Sequence, residues 1–306
     1  MTRVRAVVGR RAVLLAAAAT AVGGGVLAVD VAQGADGAAA RAGGPPPESE
    51  AEPDELDDGD AAAMREYTSN TALYNDRNLR EGRDYALRYR RHEAVGAGVG
   101  KRLLFPDTAV LAPHGGGIER GTSELCLAIA GYHPATGATG GGPVFDYWMF
   151  EGLLSDGNKR LHVTSTHCDD PVAQSLAGGS RHALSLHGCT AEQARAKGDG
   201  QAVVVGGRDG ALKAKVMKAL KDAKFQVIDG EVVSRLAGQL PANIVNRTLT
   251  GGGVQLETTT QLRDAMFKPK CNTAALRGRN TTAVFDRFVA AVRTALAAPH
   301  TLPAAP

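Results

Sequence analysis

Apolar positions along the chain fall into short runs with two different periods. TAVLAP at 108–113 is continuously apolar and reads as a buried strand. Thr122 and Ser123 are helix-capping residue types, with Glu124 next and an apolar run beyond, so a helix is expected over 122–131 with Leu125 and Ile129 inward. LHVTST at 161–166 alternates branched and polar residues and reads as a strand. ALSLHGC at 183–189 reads as another, and AVVVGG at 202–207 as one covered on both faces. Residues 212–225 set Leu212, Val216, Leu220 and Ala223 on one side of an amphipathic helix. NIVNRTLTGGGVQLETT supplies two short strands, 243–249 and 254–258. A closing helix over 281–298 turns Val284, Phe285, Phe288, Val292 and Leu296 inward. The polar stretch 67–87 has room for one or two short elements. Strands alternating with helices imply an α/β fold, a three-layer sandwich with a mixed, largely parallel sheet.

Outside residues 64–300 the pattern changes. Residues 1–11 carry four arginines, with Arg10 and Arg11 adjacent, ahead of the soft apolar segment AVLLAAAATAVGGGVLAV. Residues 1–40 therefore read as a twin-arginine export signal, with cleavage expected around 32–40 and an extracytoplasmic or secreted product. The alternative is a single anchoring helix, for which the alanines and glycines are poorly suited, so no stable membrane insertion is expected once the signal is removed. Residues 41–63 are acidic and proline-rich with almost nothing to bury, and 301–306 form a short tail; neither is expected to fold.

Setting those segments aside alters the charge. Residues 1–63 hold 5 of the 35 Lys and Arg but 10 of the 32 Asp and Glu, so the remainder carries a formal charge of about +8. A basic domain favours an acidic partner. Nucleic acid is disfavoured, because aromatics are 5% of residues and no basic cluster forms a binding stripe. Cys126, Cys168, Cys189 and Cys271 contain no CxxC pair. Two disulfides would suit an exported chain, with three connectivities open.

Candidate chemistry centres on LAPHGGGIERGTSEL at 111–125, where a strand end and a glycine-rich turn present His114 and Glu119. Histidine and carboxylate are zinc-ligand types, and a hydrolytic zinc site uses three protein ligands with one open position. His187, at the end of ALSLH and before Gly188, is the candidate third ligand. The five-residue spacing of His114 and Glu119 does not fit a helical HExxH arrangement. Without the downstream residues, the favoured reading is that His114 caps a turn and Glu119 is a solvated carboxylate. Glu257 closes GGGVQLE and is the candidate general base, or else a strand-end charge paired with Arg263. Asn246 and Arg247 could clamp a substrate carboxylate, or Arg247 could bridge to an acidic neighbour. Tyr147 and Trp148, beside a glycine-rich loop, line a pocket or pack beneath the loop.

In order along the chain, APHGGGIERGTSEL, LHVTST, SLHG, VGG, NIVNR and GGGVQLE resemble the signature blocks of the poly-γ-glutamate hydrolase family. The resemblance covers about residues 66–298. It implies a carboxypeptidase-like fold, Zn2+ held by His114, Glu119 and His187, Glu257 as catalytic base, and cleavage of γ-linked glutamyl amides. Arg247 or Arg120 would then steady the developing oxyanion, and an anionic polyglutamate would suit the basic domain. Asn246 and Arg247 follow the last zinc histidine, whereas carboxypeptidases place their Asn-Arg pair before it, so that role is carried by analogy. The cysteines beside the site blocks suggest a Cys168–Cys189 disulfide joining neighbouring strand ends. Two other functions are compatible: a zinc amidase acting on γ-glutamyl bonds of peptidoglycan or small conjugates, and a non-catalytic secreted module that binds anionic polymers.

Overall fold

The computed structural model describes residues 67–92, 107–140 and 142–297. These lie within the second of two compact units, 50–306. The export-type segment 1–40, the acidic stretch 41–63 and the tail 301–306 fall outside the described residues.

A short helix α1 (Asn70–Tyr74) and strand β1 (Tyr85–Arg90) precede β2 (Thr108–Gly116), α2 (Thr122–Ala130) and β3 (Asp146–Gly152). Then come α3 (Pro171–Gly178), β4 (His182–Cys189), β5 (Ala202–Gly206), α4 (Gly210–Asp222) and β6 (Gln226–Asp229). β7 (Val254–Thr259) runs directly into α5 (Thr260–Ala265), and α6 (Ala283–Ala297) closes the fold. The seven strands form one sheet in the order β1-β3-β2-β4-β7-β5-β6. β1 meets β3, and β5 meets β7, antiparallel; the other junctions are parallel. The sheet is thus mixed and largely parallel, as expected.

Alternation along the central strands divides the core. Val110 and Ala112 of β2 join Leu184, Leu186, Val254 and Leu256 under α2, α4 and α6. Ala109 and Leu111 face the other way, toward Leu73 of α1 and Leu176 of α3. Helices on both faces make the three layers. No helix among the described residues is long and apolar enough to cross a membrane.

Two expected strands are absent, and β3 and β6 are additional. LHVTST forms single turns of 3-10 helix on either side of an extended link. Leu161 and Val163 do point into the core, so the alternation is real but has no ladder beside it. NIVNR is likewise one 3-10 turn, initiated by Asn243, whose side-chain oxygen accepts from the Val245 N–H. β3 is buried along its whole length, which erases the alternating signal of a strand. Trp148 is fully buried within it and Tyr147 is buried on the opposite face, so both pack in the core.

All four cysteines are free, which corrects the expected Cys168–Cys189 bridge. Cys168 follows a 3-10 turn and packs beside α3, not at the end of a strand neighbouring β4; Cys189 packs with Ala194 and Val204. Burial pushes the Cys168 thiol up to about 12 and raises Cys126 and Cys189 as well, so these three should be inert as nucleophiles. A thiol reagent should titrate about one group, the half-buried Cys271, in the native protein and about four after unfolding without reductant. Fewer than four on unfolding would restore a disulfide.

Candidate active site

β2, β4 and β7 are adjacent and parallel, so their carboxyl ends lie together. The chain leaves β2 toward β3 on one side and later enters β4 on the other. That makes the β2–β4 boundary a topological switch point, where open α/β sheets form crevices. His114 stands near the end of β2 and His187 near the end of β4. Glu257 of β7 pairs in register with His187 and shares its face of the sheet.

The turn after β2 is pinned at several atoms. Gly116 has φ of +67°, and a Cβ there would lie 2.4 Å from the Gly152 carbonyl oxygen of β3, so only glycine fits. Its N–H donates to Ser123 Oγ at 2.8 Å, and its carbonyl accepts from Arg277 Nη2 at 3.0 Å. Glu119 N–H closes the turn onto the His114 carbonyl at 2.9 Å, and Thr122 Oγ1 donates to the Glu119 carbonyl at 2.9 Å. The two hydroxyls expected to cap α2 hold the ligand turn instead, and the helix begins after Gly121 with no side-chain cap. Arg277 also pairs with buried Glu124 at 3.0 Å. Burial raises the Glu124 carboxyl while the Arg277 charge opposes it. Arg277→Met should lower the unfolding free energy by about 3 kcal/mol or more, read from denaturant melts, because it strands a buried carboxylate. An unchanged midpoint would show that the pair does not secure the turn.

Orientation of the imidazoles follows from their partners. His114 Nε2 donates to the Val163 carbonyl at 2.8 Å, which leaves Nδ1 as the lone-pair nitrogen of the neutral ring. Nδ1 faces Glu119 Oε1 at 3.0 Å and His187 Nδ1 at 3.1 Å. The other ring nitrogen of His187 meets Ser165 Oγ at 3.3 Å. Glu119 Oε2 accepts from the Gly188 N–H at 2.8 Å, leaving Oε1 turned toward the histidines. A fourth group enters the cluster: His162 Nε2 is 3.7 Å from Glu119 Oε1, and its ring stacks on His114 with centroids 3.7 Å apart. His114, Glu119 and His162 offer ligand atoms within 4.8 Å of one another.

Acceptor atoms this close repel unless a cation or proton lies among them. Zinc bonds of roughly 2.0–2.1 Å in tetrahedral array separate their ligand atoms by about 3.3 Å, close to the 3.0 and 3.1 Å seen. The outer partners on Val163, Ser165 and Gly188 are of the kind that orient metal ligands. Burial acts to raise the Glu119 carboxyl, yet His114, His162 and His187 together hold it well below the usual carboxylate range. Burial, then the His114 charge, lowers His187 to about 3, so its ring is neutral near pH 7. The donor set therefore fits a divalent metal.

Glu257 is buried and oriented by a relay of amides. Gln255 Nε2 donates to Glu257 Oε1 at 2.9 Å, and Asn243 Nδ2 donates to Gln255 Oε1 at 2.8 Å. Arg263, its expected alternative partner, bonds instead to the Thr258 carbonyl, the Arg120 carbonyl and Thr260 Oγ1. Asn246 is also redirected. Its Nδ2 donates to the Gly238 and Leu240 carbonyls and its Oδ1 accepts from Arg208 and Gly253, which fills the capacity of the amide and leaves none for a substrate. Arg247 donates to the carbonyls of Ala242, Thr166 and Cys168, so it fastens the segment carrying Ser165 and has no acidic partner among those bonds. Arg120 is exposed at the rim of a neighbouring cavity. Sequence reasoning does not reach His162, Gln255, Asn243 or Arg263 as site residues; the one signal for His162 is a histidine inside LHVTST, where a strand is expected.

The cluster reaches solvent through a pocket of 100 Å³ lined by Glu119, His162, Gly188, Lys159 and Arg263. It adjoins a cavity of 520 Å³ with which it shares Ile118, Lys159, Thr260 and Arg263. A 570 Å³ cavity between α2 and α6 is larger but lies on the opposite face of the sheet, away from these groups.

A model of the poly-gamma-glutamate hydrolase family matches residues 76–291. The chain is 38% identical over 183 residues to the SPbeta prophage-derived UPF0714 protein YoqZ of Bacillus subtilis (strain 168), covering 59% of this chain and 58% of YoqZ. It is 35% identical over 185 residues to the UPF0714 protein YndL of the same organism, covering 59% of this chain and 66% of YndL. In both, the match spans less than two thirds of the relative. Among solved structures, a bacteriophage poly-gamma-glutamate hydrolase superposes with a TM-score of 0.61 at 30% identity, covering 76% of this chain and 96% of the phage protein. A zinc-free apo form of YndL gives 0.60 at 29% identity, covering 75% and 96%. With a family model matched across most of its folded length and a solved family member sharing its architecture, the chain belongs to the poly-γ-glutamate hydrolase family.

Proposed function

We propose that this protein is an exported zinc hydrolase that cleaves γ-glutamyl amide bonds of poly-γ-glutamate. The observation that carries the reading is His114 Nδ1, which faces both Glu119 Oε1 at 3.0 Å and His187 Nδ1 at 3.1 Å, each of the three side chains having its second nitrogen or oxygen held by another partner. Family membership and the zinc-free state of the YndL structure support the choice of metal and substrate.

His114, Glu119 and His187 would hold the metal, and His162 would back His114 by stacking. When bound, zinc supplies a Lewis acid at the scissile carbonyl and lowers the pKa of water at its open position. The chain's own part is positional. Glu257, fixed by Gln255, accepts the proton of the attacking water and returns it to the leaving amine. Arg247 keeps Ser165 against His187, and burial of both histidines excludes bulk water from their side of the site. The basic domain draws in a polymer with one α-carboxylate per residue, an attraction that salt should weaken. Delivery outside the membrane rests on the twin arginines at Arg10 and Arg11.

Purified protein carrying zinc should shorten poly-γ-glutamate while leaving α-linked polyglutamate and muropeptides intact, followed by size-exclusion chromatography. His187→Ala should lose stoichiometric metal, whereas His162→Ala should weaken metal binding by roughly 10- to 100-fold, the usual cost of an outer-shell change. The reverse order would exchange the two histidines' roles. Full-length γ-polymer after incubation with zinc-loaded protein would sink the hydrolase reading.

A further inference from the structure

The cavity of 520 Å³ beside the metal cluster has an uneven charge lining: Arg120, Lys159 and Arg263 against Asp156 and Asp264. Both acids have donors of their own, Asp264 from Asn272 Nδ2 at 2.5 Å and Asp156 from the Gly157 N–H at 2.7 Å. Arg263 is the unusual member. It is 8% exposed, yet its three hydrogen bonds go to two carbonyls and a hydroxyl. Among the described residues it has no carboxylate at ion-pair distance. A buried guanidinium without an anion is costly, and two of its five N–H groups remain for a ligand. Its plane lies against Gly188, where a Cβ would come within 2.5 Å of Arg263 Cζ. Gly188 follows His187 in the chain and donates its N–H to Glu119. An anion held by Arg263 would therefore sit directly beside two proposed metal ligands. The volume also falls within the roughly 300–1,000 Å³ of small-molecule sites.

Building on the hydrolase reading above, we propose that this cavity is the subsite for a glutamyl residue flanking the scissile bond, with Arg263 gripping its α-carboxylate and Lys159 and Arg120 at the rim. Asn272 lines the same cavity, and its buried Oδ1 has no partner among the described residues. Arg263 then selects γ-linked over α-linked polymer, because only the γ-linkage leaves a free carboxylate on the α-carbon.

The test compares a γ-linked glutamyl oligomer with the same oligomer whose α-carboxylates are primary amides, at an ionic strength that screens long-range attraction. For the zinc-loaded wild type, KM should be roughly 10- to 100-fold lower for the acid, the range of a charge-assisted hydrogen bond. Arg263→Gln should raise KM for the acid by that factor and leave the amide unchanged, with metal content intact; Lys159→Gln should give a smaller change in the same direction. If Arg263→Gln does not fold, the wild-type comparison decides alone, and equal KM values overturn the subsite. Should neither oligomer be cleaved, calorimetry on the zinc-free protein separates the two ideas. Binding of the acid and not the amide keeps the subsite while the hydrolase reading falls, and equal or absent binding overturns the subsite as well.

Discussion

Glu257→Gln should bind zinc as the wild type does and cleave poly-γ-glutamate about a thousandfold more slowly, within the roughly 10²–10⁴ range of general acid–base catalysis. The substitution preserves shape, and the new amide oxygen can still accept from Gln255 Nε2, so the strand should not move. What is lost is a carboxylate able to take a proton from water and return it to the departing amine. The surroundings of Glu257 suit that proton transfer, since the side chain is buried, in register with His187 and on its face, and fixed by Gln255 and Asn243. kcat should carry the change, with KM little altered. A variant of wild-type activity would return Glu257 to an ordinary buried strand charge and place the base elsewhere. Metal analysis beside the kinetics separates this outcome from simple loss of the ion.

Replacing His114 by alanine should remove both metal and activity while the sheet persists. His114 lies at the centre of the cluster, facing Glu119 and His187 with one nitrogen and tied to Val163 by the other. Two ligands cannot hold zinc in a hydrolytic site that needs three. The Val163 carbonyl loses its donor, a loss of about 1–3 kcal/mol, short of the roughly 5–15 kcal/mol that holds a domain folded. The expected result is a folded protein by circular dichroism, substoichiometric in zinc, and inactive at all practical enzyme concentrations. Retention of a full equivalent of tightly bound zinc would show that the ion sits among other groups.

The parts of this fold that can be read from the chain are those in which one physical demand dominates. TAVLAP, ALSLH and AVVVG read as strands because each is buried within the sheet, and α4 and α6 show a helical stripe because each covers one face. β3 escapes because burial on both faces leaves no alternation, and its neighbouring glycines imitate a loop. LHVTST misleads for the opposite reason: inward and outward residues alternate in an extended segment that pairs with nothing, and its value lies in carrying His162 to the cluster. The candidate ligands His114, Glu119 and His187 and the candidate base Glu257 can be picked out of the chain because strand ends beside glycines are short, chemically distinctive stretches. Asn246 misleads because residue type alone does not show which way an amide is turned, and its side chain is filled by backbone groups; Arg247 spends three of its five N–H groups on backbone carbonyls. Arg263 is hidden by distance, since only the packing of α5 against Gly188 reveals a buried cation facing a cavity.

Anomalous diffraction at the zinc edge, from crystals of the zinc-loaded protein, decides whether the cluster is the metal centre. One strong peak is expected, within bonding distance of His114, Glu119 and His187. A peak elsewhere, or none at these atoms after loading, would contradict the assignment.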